Sequence, residues 1–86
     1  MATRRRVPQA RLASYDEAWR GFHDRAVSAG GRAWRFRSSH QDDAFLEFVE
    51  WSNGIDMEQI TAQSRDELDA IAPGQTDGWQ EANTGA

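Results

Sequence analysis

The clearest alternation of apolar and polar residues lies in the stretch 31–51, and it predicts a β-hairpin. Within residues 32–37, R-A-W-R-F-R, Trp34 and Phe36 alternate with Arg35 and Arg37, with the period of two that is typical of a strand with unlike faces. Residues 38–43 are polar and favour a turn. Residues 44–51, A-F-L-E-F-V-E-W, form a second apolar run that is too short for a typical helix.

Pairing of the two strands predicts one apolar face and one mixed face. Trp34 and Phe36 would share the first face with Leu46 and Phe48, and we expect the helices to cover it. We predict a core of Trp19, Phe22, Trp34, Phe36, Phe48, Leu68 and Ile71. The mixed face combines large apolar side chains with charged ones, and we predict a cross-strand ion pair of Glu47 with Arg35 or Arg37; such a face favours a protein–protein interface. Its residues are Arg35, Arg37, Phe45, Glu47, Val49 and Trp51.

Two amphipathic segments flank the hairpin and predict helices. The sequence S-Y-D-E at 14–17 fits a capping box, and apolar residues at helical spacing continue the helix over about Tyr15 to Ala29. Gly30 and Gly31 would end it. Asp56, followed three residues later by a glutamine, caps a second helix that Pro73-Gly74 ends.

The two ends of the chain carry weaker signals. Residues 4–12 predict a first strand, although Pro8 cannot donate to a ladder and belongs at an edge or bulge. Residues 1–3 are expected to be disordered.

At the other end, residues 75–82 predict a short last strand or an ordered tail. Trp79 is expected to close over the core, and residues 83–86 to fray. The domain is therefore expected to span residues 4–82.

This order of elements, βαββα with a possible last strand, predicts an α+β fold of the ferredoxin-like kind, with an antiparallel sheet and two helices on one face. With the segments G-G-R-A-W-R-F-R-S and F-L-E-F-V-E-W, the chain resembles the dimeric α+β barrel superfamily, which includes antibiotic-biosynthesis-monooxygenase-like and stress-responsive small proteins. The resemblance implies a dimer whose subunits pack sheet against sheet and enclose a pocket. Pro8 departs from the superfamily's usual long apolar first strand.

The small size of the chain favours association. It has 86 residues and no cysteine, and a chain of this length buries only roughly 60% of its unfolded surface. We therefore expect a homodimer or a subunit of a larger protein assembly. Residues 1–12 lack the apolar core of a secretory signal, and no apolar run approaches the roughly 20 residues that span a bilayer. A cytoplasmic protein without a membrane span is expected.

Charge is distributed unevenly along the chain, whose net charge is −4. Residues 1–40 hold nine arginines and three acidic residues, whereas residues 41–86 hold one arginine and eleven acidic residues. We expect the basic half to pair with the acidic half within the fold or across a dimer. The alternative is a basic patch for an anionic partner.

Few residues suggest catalysis. His40 with Asp42 and Asp43 could hold a metal ion, but adjacent turn carboxylates are usually solvated, so we expect no metal site and no cofactor. Glu47 and Glu50 point to opposite sides of their strand and do not form an acid–base pair.

Three functions are compatible with these patterns. The first is a non-catalytic association domain that dimerises, or docks on a larger assembly, through its outer sheet face. The second is a cofactor-free enzyme, of a monooxygenase or isomerase type, with a pocket in a dimeric barrel lined by His40, Arg35, Arg37 and Trp51. The third is an RNA-binding sheet, in which the aromatic residues of 32–37 stack on bases. This third function is disfavoured because the domain is acidic and the aromatic residues would have to leave the core.

Overall fold

The computed structural model describes residues 1–77, which form a four-stranded antiparallel sheet and helices. The strands are β1 (Ala2–Arg6), β2 (Arg32–Arg37), β3 (Ala44–Glu50) and β4 (Gly74–Asp77), and the helices are α1 (Leu12–Ser28), α2 (Met57–Ile60) and α3 (Ala62–Ile71). The sheet order is β2-β3-β1-β4, and each neighbouring pair is antiparallel. The predicted α+β class and the hairpin of β2 and β3 are confirmed.

The first strand begins earlier than the sequence predicted. Ala2 and Thr3 are buried in β1, and the Met1 amino group donates to the Val49 carbonyl over 3.0 Å, so the predicted disorder of residues 1–3 is wrong. β1 ends at Arg6 rather than continuing to residue 12. Pro8 lies just beyond the end of the strand and precedes a single 3₁₀ turn, Gln9–Arg11.

The 3₁₀ turn leads directly into α1, so the helix starts at Leu12 and not at about Tyr15 as predicted. Arg11 is the N-cap residue and makes no side-chain cap hydrogen bond, while Ser14 lies inside the first turn. The predicted capping box at 14–17 is therefore wrong. The end of α1 agrees with the sequence, because Gly30 adopts a left-handed φ of 92° and the Gly31 N–H donates to the Ala26 carbonyl.

The predicted second helix is divided at one residue. Asp56 caps α2 by accepting a hydrogen bond from the Gln59 N–H at 3.3 Å, as its position predicted. Thr61 then has φ −100° and ψ 4°, and its hydroxyl donates to the Met57 carbonyl at 2.7 Å. A threonine bonded back to its own preceding turn competes with the regular helix, so α3 starts as a separate helix at Ala62.

The helices cover the mixed face of the hairpin, so the predicted assignment of the two faces is wrong. Ala33, Phe45, Glu47 and Val49 are buried against the helices. We call this side of the sheet the helix face, and the side of Trp34, Phe36, Leu46 and Phe48 the outer face. The mixed face can form a core because its buried carboxylate, Glu47, pairs there with Arg5 of β1.

The core that results differs from the predicted one. Trp19, Phe22 and Leu68 are buried as expected, and Ile71 packs against them in a partly buried position. The outer-face aromatic residues are not part of this core. Three predictions concern residues outside the described part of the chain. They are the closure by Trp79, the extent of the last strand over residues 78–82 and the fraying of 83–86. None of the helices within residues 1–77 is long and apolar enough to cross a membrane.

Candidate functional site

The outer face carries a continuous aromatic cluster across β2 and β3. The rings of Trp34 and Phe48 stack with centroids 5.4 Å apart and planes 15° apart. Phe36 meets Phe48 edge-on, with centroids 6.0 Å apart. Phe36 is 58% exposed, although phenylalanine is usually buried. The described helices pack on the opposite face, so they leave this apolar cluster uncovered.

Exposed ion pairs border the aromatic cluster. They are Arg4 with Asp77 at 3.8 Å, Arg6 with Asp43 at 3.1 Å and Arg32 with Glu50 at 3.2 Å. The Arg32 guanidinium also lies 5.8 Å from the centre of the Trp34 ring. Each of these three arginines has a carboxylate neighbour, so the rim of the outer face carries balanced charge.

These pairs also test the predicted pairing of the two charged halves. Within the described residues, five ion pairs join an arginine from 1–40 to an acid from 41–86. The expectation that the basic half pairs with the acidic half inside the fold is confirmed.

A groove of about 760 Å³ opens on the outer face beside the hairpin turn. Phe36, Ala44 and Leu46 supply its apolar surface, and Arg4 and Arg6 project along its side. Within the described part of the chain, no acidic residue lines it. Sequence reasoning missed these two arginines, although their alternation with Thr3 and Arg5 in β1 places them on one face of a strand.

The helix face contains a buried polar network centred on Glu47. Arg5 Nε donates to both Glu47 carboxylate oxygens, at 2.9 and 3.0 Å. Arg5 Nη1 donates to Asp69 Oδ1 at 2.6 Å and to the Ala72 carbonyl at 2.7 Å. The Tyr15 hydroxyl donates to Glu47 Oε2 at 2.5 Å. The network thus joins two strands to two helices.

Burial and neighbouring charges shift the pKa values of two members of this network, Tyr15 and Arg5. Burial raises the pKa of Tyr15, and the neighbouring Glu47 carboxylate raises it further. Burial alone lowers the pKa of Arg5, but the Glu47 and Asp69 carboxylates outweigh burial and the pKa is raised. The cavity beside Arg5 and Glu47 holds only about 10 Å³, room for one water molecule at most. The network has no space for a substrate and holds the fold together.

Arg35 and Arg37 do not pair with Glu47 as the sequence predicted. Arg35 Nη1 lies 2.9 Å from Asp16 Oδ1 on α1, a close ionic contact without hydrogen-bond geometry, while its guanidinium lies 5.1 Å from the centre of the Tyr15 ring. Arg37 Nε donates to the backbone carbonyl of Asp42 at 2.7 Å. The prediction failed because Arg5, from the strand on the other side of β3, occupies both oxygens of Glu47.

The other predicted interface residues also lie on the helix face. Phe45 and Val49 are buried, and Trp51 packs partly buried against the core. The prediction that these side chains project outward is wrong, because the helices cover the face of the hairpin on which they lie.

The residues proposed for an enzyme have separate surroundings. His40 is exposed in the hairpin turn, where its backbone N–H donates to Ser38 Oγ at 3.1 Å. Arg35 instead lies under α1, and Trp51 packs against the core. Within residues 1–77, no three side chains of His, Asp or Glu come together in a way that could hold a metal ion.

Known proteins provide no relative with which this geometry can be compared. No family model, no curated protein and no solved structure matches the chain.

Proposed function

We propose that this protein is a small non-catalytic association domain of ferredoxin-like topology that forms a homodimer through the outer face of its sheet. The topology is supported by the strand order, in which β3 lies between β1 and β2 and the α1 connection crosses over it. The proposed interface differs in its side chains from the one that the sequence predicted, because the helices occupy that other face.

The observation that carries the proposal is the aromatic cluster of Trp34, Phe36 and Phe48, which the helices leave uncovered; Phe36 is exposed and the other two rings are partly buried. A monomer that leaves three aromatic rings together on an open sheet loses the free energy that their burial would supply. Packing of one sheet on another is a common way to bury such a face. The resemblance to the dimeric α+β barrel superfamily supports the same arrangement, since its subunits pack sheet against sheet.

The charges on the rim favour a second copy of the chain as the partner. A two-fold dimer brings the same patch of each subunit together, so the patch must be complementary to itself. The outer face meets this condition because each of its arginines lies beside a carboxylate, as in the pair of Arg32 and Glu50. Arginine and carboxylate groups can then exchange partners across the two-fold axis at the polar rim.

Single-stranded RNA is the competing partner, because the helices leave the rings of Trp34 and Phe36 uncovered. Bases could stack on these rings. Within the described residues, however, the face offers only three rim arginines, each beside a carboxylate, and the net charge of the chain is −4. Binding to a phosphate backbone needs surplus positive charge, so the balanced rim favours a protein partner.

Sedimentation equilibrium of the wild type and of Trp34→Glu tests the proposal. Trp34 is partly buried on the outer face, away from the core under the helices, so the variant should fold, which circular dichroism would check. The wild type should sediment as a dimer and Trp34→Glu as a monomer. Val27→Glu is the matched control, because Val27 is 49% exposed on α1, away from the outer face, and this variant should remain a dimer.

Two results would overturn the homodimer. One is a wild type that stays monomeric at high concentration. The other is a Trp34→Glu variant that dimerises as well as the control. A monomeric wild type that binds an RNA oligonucleotide in a salt-dependent manner, with loss of binding in Trp34→Glu, would assign the face to RNA instead.

A further inference from the structure

We infer that the groove on the outer face is a binding site for a small organic anion with a planar apolar body, such as an aromatic carboxylate or sulfonate. The inference goes beyond dimerisation. Because Phe36 belongs both to this groove and to the proposed dimer interface, the site is one that the monomer offers. The inference rests on the position of Arg4 and Arg6 beside the apolar residues of the groove.

The two arginines are close enough along β1 to reach one anionic group, although each now contacts a different aspartate. They are separated by one residue in β1, so their side chains leave the same face of the strand with Cα atoms about 7 Å apart. Their side chains are 62% and 63% exposed. Guanidinium groups offer paired N–H donors that match carboxylate and sulfonate oxygens, so two of them can hold one anionic head from both sides.

The apolar surface lies directly across from these arginines. In the sheet register, Arg4 is opposite Leu46 and Arg6 is opposite Ala44, while Phe36 flanks Leu46 on the other side. A ligand whose anionic group contacts the arginines would therefore lay its body over Leu46 and Phe36. The exposed ring of Phe36 favours a planar body, which can stack or meet it edge-on.

The present partners of the two arginines do not prevent this binding. Asp77 lies 3.8 Å from Arg4, beyond hydrogen-bond distance, and the contact of Arg6 with Asp43 is solvent-exposed. Exposed ion pairs of this kind contribute little free energy. Neither aspartate lines the groove, and each would have to yield its arginine to the incoming anion.

A pair of fluorescent probes tests the charge requirement. The probes are 8-anilinonaphthalene-1-sulfonate, which is anionic, and N-phenyl-1-naphthylamine, which has the same aromatic body without the sulfonate. The wild type should bind the anionic probe about tenfold more tightly than the neutral one. The double variant Arg4→Gln/Arg6→Gln should lose about tenfold in affinity for the anionic probe, with its affinity for the neutral probe unchanged.

The control is Arg20→Gln/Arg25→Gln, which removes two exposed arginines from α1 and should bind both probes as the wild type does. Equal affinity of the wild type for the two probes would overturn the inference. An unchanged affinity of Arg4→Gln/Arg6→Gln for the anionic probe, or an equal loss in the control, would overturn it as well.

Nuclear magnetic resonance of the wild type provides a second measurement if the double variant fails to fold. The Nε–H resonances of Arg4 and Arg6 should shift on addition of the anionic probe, and those of Arg20 and Arg25 should not. Shifts confined to other residues would overturn the site. Sedimentation of the same samples reports dimerisation separately, so failure of the homodimer and failure of the anion site can be distinguished.

Discussion

Tyr15 on α1 donates its hydroxyl proton to Glu47 on β3 over 2.5 Å, in the interior between the helix and the sheet. Glu47 also accepts two hydrogen bonds from Arg5, which in turn reaches Asp69 on α3. A polar network thus occupies the position where a sheet of this size usually packs only apolar side chains. One arginine, Arg5, and one carboxylate, Glu47, pair at the centre of the network, and they are 3% and 5% exposed.

The first prediction concerns the removal of Glu47. Glu47→Ala should lower the free energy of unfolding by about 3–5 kcal/mol, because it leaves the buried Arg5 without its main counter-ion. Glu50→Ala, on the same strand, should lower it by less than about 1 kcal/mol, since its pair with Arg32 is exposed. Urea unfolding followed by tryptophan fluorescence measures both. Equal effects of the two substitutions would contradict the structural role of the network.

The second prediction is a loss of stability at high pH. The pKa of Tyr15 is raised above its ordinary value of 10.0, so the folded protein retains the phenolic proton where the unfolded chain loses it. The stabilisation is therefore complete below about pH 10 and decreases as the pH rises further. Urea unfolding at a series of alkaline pH values should show this decrease, and Tyr15→Phe should make it smaller.

The phenolate absorbance provides an independent check of the same prediction. Tyr15 is the chain's single tyrosine, so this absorbance reports one group. In the folded protein it should appear well above the pH at which it appears in urea. A folded protein whose tyrosine titrates near pH 10 would contradict the buried hydrogen bond to Glu47.

The third prediction tests which face of the hairpin the helices cover. Phe45→Ala should cost about 3–5 kcal/mol, because Phe45 is 7% exposed and packs on the Tyr15 ring at 4.8 Å. Phe36→Ala should cost less than about 1 kcal/mol in the monomer, because Phe36 is 58% exposed. Thermal unfolding measures the two losses of stability. The proteins are compared at a dilution at which sedimentation shows only monomer. The opposite order of the two costs would mean that the helices cover the outer face.

The sequence alone determined the local elements of this protein. The period-two pattern of 32–37, the polar turn and the apolar run of 44–51 predict the hairpin, because neighbouring residues along a strand decide these features. The Asp56 cap and the left-handed Gly30 are equally local, since each depends on backbone groups within a few residues. The same reasoning identified Trp34 and Phe36 as an aromatic pair on one side of a strand, which is part of the proposed interface.

Only the tertiary structure decided which side of the hairpin faces the helices. Alternation separates a strand's residues into two sets but does not say which set is covered, and here both sets contain large apolar side chains. The charge of Glu47 by itself favours exposure of its set, but Arg5, 42 residues away in the sequence, pairs with it in the interior. Burial of a charge costs less free energy when a residue of opposite charge pairs with it. The pattern of neighbouring residues along a strand does not show whether a distant residue provides that pair.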